Sequence, residues 1–306
     1  MSEEQDIRHS AKRVPVVQDH SRVWRDNRYV YPVISRRSRG LSIGINLNPE
    51  KACTFRCVYC EVDRRIHQHS AKVDMGTLIR ELNAMLDWTL SGEIWKDRHF
   101  AAVPEPLRRI NDIAFSGDGE PTACRNFADA VQVAADAKSL RKLSGVRIVV
   151  ISNATRFHTQ TFRRAVPVLQ SCGGEVWAKL DAGSPNYFTR INRTTVPFKT
   201  VLDNIEWLAK AMPILIQTCL IRLDGEPPAE TEIQLYCARL RHVLEAGGQL
   251  KGVQLYTVAR PPAQRGVAAL ADAELDEIAV RVQRAVGQVP VETYYGADVP
   301  AQEDIT

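Results

Sequence analysis

Three cysteines, Cys53, Cys57 and Cys60, share one short run, Cys53-Thr54-Phe55-Arg56-Cys57-Val58-Tyr59-Cys60. The C-x3-C-x2-C spacing lets three thiolates converge on one metal centre. Three ligands are one short of a closed tetrahedral site. An iron–sulfur cluster held this way keeps one iron open to a non-protein ligand, as a catalytic centre requires and a structural one does not. Phe55 and Tyr59 supply cover suited to a shielded cofactor pocket.

A second constellation is Phe115-Ser116-Gly117-Asp118-Gly119-Glu120-Pro121-Thr122. Gly117 and Gly119 would let the backbone approach a small ligand, and Glu120 is an anion suited to an ammonium group. Asp118-Gly119 also reads as a plain turn. Ser152 and Asn153, in Ile151-Ser152-Asn153-Ala154-Thr155, are small polar groups able to hydrogen-bond ribose hydroxyls. In Ala178-Lys179-Leu180-Asp181-Ala182, Lys179 is a candidate catalytic cation, proton donor or Schiff-base amine. The plainer reading is an ion pair with Asp181 or Glu120.

These residues need elements to position them. Apolar runs predict strands over 41–47, 111–115, 146–151, 175–180, 213–221 and 251–258. Amphipathic stretches between them predict helices over about 75–90, 124–143, 159–170, 198–211 and 229–245, with Asp74 and Thr231 as capping candidates. Six strands alternating with helices give a parallel α/β sheet, expected here as a partial (β/α)6 TIM-type barrel. The cysteine loop follows the first strand and the glycine–glutamate run the second. Both therefore lie at carboxyl ends of strands, the face where ligands bind in such sheets. Residues 92–110, with Pro104 and Pro106, read as an irregular insertion. After Arg260-Pro261-Pro262, a stiff turn, come a helix over 272–286 and a strand-like run over 289–294. The expected organisation is a basic extension over 1–40, a core over 41–260 and a C-terminal extension over 261–306.

The 306 residues are 44% hydrophobic and 25% charged, the balance of an ordinary soluble globular protein. No apolar run is long enough to span a bilayer, and residues 1–6 are polar, unlike a secretory signal; a cytoplasmic location is expected. Seven cysteines, three of them clustered, argue for metal chemistry over a disulfide framework. The scattered Cys124, Cys172, Cys219 and Cys237 are expected to pack in the core. Residues 1–40 hold Lys12 and eight arginines against five acids, a net charge of +4. Trp24, Tyr29 and Tyr31 are interleaved with them. The segment suits either RNA binding or packing of its rings against the main domain.

The cysteine loop followed by Gly-Asp-Gly-Glu-Pro resembles the radical S-adenosylmethionine superfamily, over roughly residues 41–260. The resemblance implies a [4Fe-4S] cluster on Cys53, Cys57 and Cys60, with S-adenosylmethionine chelating the open iron. It implies that Tyr59 packs near the adenine and that Gly119, Glu120 and Pro121 form the motif that binds the methionine ammonium. Asp118 replaces the first glycine of that motif's commonest form. Ser152 and Asn153 fall where ribose contacts arise, with Gly117 and Asp181 as further cofactor contacts. It further implies an oxidoreductase-type reaction, reductive cleavage to a 5′-deoxyadenosyl radical, and a reductase such as flavodoxin or ferredoxin as partner.

Within the superfamily, Gly40 to Leu47, Phe115 to Thr122 and Lys179 to Ala182 resemble the wyosine-tRNA synthase branch. That likeness implies tRNA or other RNA as substrate. The branch carries a second, upstream cysteine set, whereas no cysteine precedes Cys53 here. A single cluster is therefore expected, and the wyosine reaction itself is not carried over. Radical chemistry on a protein substrate is the enzymatic alternative. A zinc module, with His67 or His69 completing a Cys3His site, is the non-enzymatic one.

Overall fold

The computed structural model describes residues 22, 24–35, 37–63, 72–260, 262 and 264–296. His67, His69 and most of the basic segment, including Arg8, Lys12 and Arg13, lie outside the described residues. Eight strands form one sheet in the order β1 (Val30–Ser35), β2 (Gly40–Ile45), β3 (Ile110–Phe115), β4 (Arg147–Ser152), β5 (Glu175–Lys179), β6 (Ile214–Cys219), β8 (Leu250–Tyr256) and β10 (Val291–Tyr294). From β2 to β10 every pairing is parallel; β1 alone is antiparallel, folded onto β2 as a hairpin from Val30↔Ile45 to Ser35↔Gly40. The sheet curls into a half-barrel with helices on its outer face. The short strands β7 (Ile221–Leu223) and β9 (Val267–Ala269) pair separately.

All six predicted strands are present. The predicted run over 213–221 is divided between β6 and β7, with Leu220 between them. Two more strands join the sheet. β1 lies inside the stretch expected as a basic extension, and β10 lies inside the C-terminal one. Pro32, which cannot donate to a ladder, sits in β1 because that strand is an edge.

Alternation along the strands separates two cores. Ile113, Phe115, Ile148, Val150, Val176, Ala178, Ile214 and Ile216 face the helices, whereas Ala114, Val149, Trp177 and Leu215 form a small cluster of their own. Helices α1 (Met75–Leu90), α2 (Phe127–Leu140), α3 (Gln160–Ser171), α4 (Pro185–Asn192), α5 (Phe198–Ala211), α6 (Glu230–Glu245) and α7 (Asp272–Val286) cover the first core. Asp74 caps α1 as expected, accepting from Gly76 N at 3.0 Å. Thr231 lies inside α6, whose N-cap position is Ala229 and carries no side-chain bond. α2 starts at Phe127, because Pro121–Ala123 form a separate 3-10 turn. The insertion over 92–110 contains two such turns, Glu93–Lys96 and Glu105–Leu107. α4 was not legible as a helix: it is short, although Ser184 caps it and Pro185 occupies its first position.

The interleaved rings of the basic segment are packed. Trp24 lies 5.5 Å from Trp88 and 5.6 Å from Phe100, centre to centre, while Tyr29 and Tyr31 are buried. Several neighbouring arginines have acidic partners: Arg22 with Asp118, Arg25 with Asp97 and Arg28 with Glu50, each at 2.9 Å.

An aromatic file ties the sheet to α2 and α3. Phe127 meets Phe115 at 5.7 Å edge-on and Phe162 at 5.9 Å stacked, and Phe162 stacks on Phe157 at 4.3 Å. Phe127→Ala is expected to lower the unfolding free energy by about 3–5 kcal/mol, because it removes transfer energy and leaves a cavity. Urea unfolding followed by circular dichroism measures this; a loss within error of zero would contradict the assignment of the outer core.

Candidate functional site

The carboxyl ends of β2 to β6 and β8 open on a cavity of about 330 Å³. Cys53, Cys57 and Cys60 line it on one side, with Tyr59 beside them. Gly117, Gly119, Glu120, Asn153 and Lys179 also line it. Ser152 and Asp181 are buried just behind the wall and act on residues that do line it.

The cysteine loop is clasped from three directions. From β3, Glu120 N donates to Ala52 O at 2.9 Å and Asn48 Nδ2 donates to Glu120 O at 2.8 Å. A Cβ at Gly119 would enter the contact shell of the Ala52 carbonyl, and one at Gly117 that of Asn46. Gly119, expected to admit a ligand, thus first admits the backbone that leads into the cysteine loop, and Gly117 makes room for the Asn46 side chain. From β4, Asn153 Nδ2 donates to Thr54 Oγ1 at 2.8 Å and to Cys53 Sγ at 3.8 Å. From the end of α4, Asn192 O and Ile191 O accept from Arg56 N and Val58 N, each at 2.9 Å. The Asn192 amide donates to Cys57 Sγ at 3.4 Å and to Asp181 Oδ2 at 2.9 Å.

Glu120 is 2% exposed. Its Oε1 accepts from Thr122 N at 3.1 Å, Thr122 Oγ1 at 2.5 Å and Ser152 Oγ at 2.7 Å, whereas among the described residues Oε2 accepts only from Asn153 N at 2.8 Å. Burial raises its pKa above the ordinary carboxylate value against these bonds. Oε2 therefore keeps capacity for a further donor. Asp118 is occupied otherwise, by Arg22 and by Asn46 Nδ2 at 2.7 Å.

Lys179 is held as a cation. Burial alone would lower its pKa, but nearby Asp181, with Oδ1 at 3.9 Å, and the Tyr256 hydroxyl outweigh burial and raise it. Its ammonium donates to the Tyr256 hydroxyl and lies 4.9 Å from the centre of the Tyr59 ring. Asp181 is used internally: Oδ1 accepts from Cys219 N at 3.0 Å, and Oδ2 from the Tyr59 hydroxyl and Asn192. Burial pushes the Cys57 thiol up to about 12, with Asp181 adding to the effect.

Three thiolates around one cavity are a donor set that fits an iron–sulfur cluster. Among the described residues, no three His, Cys, Asp or Glu side chains come close enough together to hold one metal ion. A cubane cluster spreads its thiolates over separate irons, and three sulfurs around one cavity meet that demand. Amide donors to Cys53 and Cys57 sulfur are the kind of contact that tunes such a centre.

Sequence reasoning missed several parts of this site. Asn192 carried no motif, and its helix was not recognised. Tyr31 and Arg37 come from the hairpin that joins β1 to β2, and both line the cavity. Cys219, expected as core packing, is buried yet also lines it, as does Gln217. The inward positions of β6 are 215, 217 and 219, a period-2 signal that the strand reading already contained.

A sequence model of the Radical SAM superfamily matches residues 47–231. A UPF0026 protein of Synechocystis sp. is 25% identical over 168 residues, covering 54% of this chain and 52% of that protein. The chain thus spans about half the length of that curated relative. A structure of TYW1 with a lysine-pyruvate adduct bound is similar with a TM-score of 0.50 at 16% identity, covering 81% of this chain and 74% of that one. A spore photoproduct lyase mutant is similar with a TM-score of 0.50 at 11% identity, covering 89% and 81%. Both structures share the fold. No helix among the described residues is long and apolar enough to cross a membrane.

Asn192→Ala removes the amide at Cys57 sulfur. Such supporting contacts are worth about 10–100-fold in metal affinity. Iron retained by the anaerobically reconstituted variant under chelator challenge is expected to fall by that order, with the circular dichroism spectrum unchanged. Wild-type retention would place Asn192 outside the centre's support.

Proposed function

The chain belongs to the Radical SAM superfamily, and from that premise we propose that it is an enzyme using one [4Fe-4S] cluster to cleave S-adenosylmethionine. In this reading Cys53, Cys57 and Cys60 hold the cluster, and Glu120 receives the ammonium of S-adenosylmethionine. The observation that carries it is the clasp that brings the cysteine loop and Glu120 to one cavity from neighbouring parallel strands. When bound, the cluster and S-adenosylmethionine supply reductive carbon–sulfur cleavage to a 5′-deoxyadenosyl radical, chemistry that belongs to the cofactors.

The chain's own residues bind, orient and enclose. Oε2 of Glu120 accepts the ammonium, while Ser152 and Thr122 hold the carboxylate through Oε1. Ser152 is thus a positioning residue in this reading, and Asn153 is the one with access to ribose hydroxyls. Tyr59, fixed by Asp181, presents its ring beside the cluster as cover for the adenine. Lys179 contributes a fixed positive charge to the wall. A lysine held protonated binds anions and is a poor nucleophile.

For the substrate we propose RNA, supported by the basic N-terminal segment and the wyosine-synthase-like runs. Burial of Tyr29 and Tyr31 and packing of Trp24 favour a second reading, radical chemistry on a protein, because the rings are no longer available for stacking. Retention of tRNA that weakens steeply with salt and disappears on removing residues 1–21, which leaves β1 in place, is expected for RNA. No retention at low salt would leave the protein reading.

Reduced wild-type protein is expected to form 5′-deoxyadenosine, and Cys57→Ala to lose both iron and product. Glu120→Gln should keep its iron while binding S-adenosylmethionine at least tenfold more weakly. The raised pKa of Glu120 gives the sign of the pH dependence. The carboxylate takes up its proton at milder acidity than an ordinary one, so wild-type affinity falls as pH is lowered through mild acid. Glu120→Gln should lack that fall. Calorimetric titration at several pH values measures both, and loss of iron in Glu120→Gln would contradict the role given to that residue.

A further inference from the structure

The cavity balances its charges in pairs, with two exceptions. Among the described residues, Arg22 is paired with Asp118 at 2.9 Å, Lys179 with Asp181 at 3.9 Å, Asp112 with Arg147 at 3.9 Å, and Arg260 with Glu61. Glu120 has no cationic partner among them, and Arg37 has no carboxylate partner. The ammonium of S-adenosylmethionine answers the first exception in the reading above. The second concerns another part of the wall.

Arg37 sits in the turn between β1 and β2. Its guanidinium carbon lies 4.9 Å from the centre of the Tyr256 ring, and Lys179 Nζ lies 5.1 Å from the same centre. Two cations therefore share one aromatic ring, a favourable arrangement for each. Among the described residues, Lys179 has a carboxylate counter-charge in Asp181 and Arg37 has none. On the same cavity, Gln217 is 0% exposed. Its amide donates to Gln254 Oε1 at 2.8 Å, while its own Oε1 has no donor among the described residues. An acceptor left unmet at that depth is destabilising unless something entering the cavity meets it.

We propose that Arg37, Lys179, Tyr256 and Gln217 form a substrate subsite for an oxyanion, a carboxylate or a phosphate, that carries an adjacent O–H or N–H group. The guanidinium and ammonium hold the anion, and Gln217 Oε1 accepts from the neighbouring donor. Tyr256 orients both cations. The cavity is then bipolar, with a carboxylate for the cofactor's ammonium and a cation pair for the substrate's anion. The proposal rests on the radical S-adenosylmethionine reading only in giving the Glu120 half to the cofactor.

The test uses the full chain, reconstituted anaerobically and titrated calorimetrically with sodium glycolate or inorganic phosphate. Each titration is run with and without saturating S-adenosylmethionine. Saturable one-site binding of at least one probe is expected, weakened at least tenfold in Arg37→Ala and less in Arg37→Lys. Gln217→Met should weaken glycolate, whose hydroxyl adjoins its carboxylate. Circular dichroism checks that each variant is folded. Glycolate alone binding assigns a carboxylate, and phosphate alone a phosphate. Binding of neither probe to the wild type, or equal binding by wild type and Arg37→Ala, overturns the proposal. A chain that binds a probe through Arg37 but binds no S-adenosylmethionine supports the subsite and refutes the cofactor reading.

Discussion

One short clasp organises this molecule: the backbone N–H of Glu120 on the carbonyl of Ala52, with the Asn48 amide on the carbonyl of Glu120. Each bond contributes only about 1 kcal/mol net. Their importance is geometric, because they join the loops after two neighbouring parallel strands. Only glycine fits at 119, where the two backbones meet. The cysteines and the carboxylate therefore face the same space by construction. Everything outward from the clasp serves to hold it, including Asn153 and Thr54 on one side and the end of α4 on another.

Much of this architecture was legible in sequence, for a physical reason. Strands buried on both faces of a parallel sheet read as continuous apolar runs, and β4, apolar throughout from Ile148 to Ile151, is such a run. The cysteine loop and the glycine–glutamate run stood out because their residue types are costly to place without purpose. What escaped notice was short or disguised. β1 was hidden among arginines, and its apolar run Val30 to Ile34 was read with the charge around it. Asn192 was unreadable because its significance comes from where α4 ends, beside Cys57, and not from any pattern of neighbours.

The site residues expected from sequence divide once the contacts are known. Tyr59, Glu120, Asn153 and Lys179 line the cavity, whereas Ser152 and Asp181 support residues that do. Lys179 is the clearest change of emphasis. Three roles were open to it, and proximity to Asp181 and Tyr256 keeps it charged. Together with Arg37 it makes one wall cationic, while Glu120 supplies a carboxylate that has no cationic partner among the described residues. A cavity arranged in this way would orient a charged ligand before any chemistry begins.

On the proposed reading, Cys53, Cys57 and Cys60 would hold a [4Fe-4S] cluster with one iron left for S-adenosylmethionine. Electron paramagnetic resonance of the dithionite-reduced, anaerobically reconstituted wild type tests it most directly. The expected result is a [4Fe-4S] signal whose g values shift when S-adenosylmethionine is added, as they would if the cofactor occupied the open iron. A protein that carries zinc without sulfide, or a cluster signal that S-adenosylmethionine leaves unmoved, would contradict it.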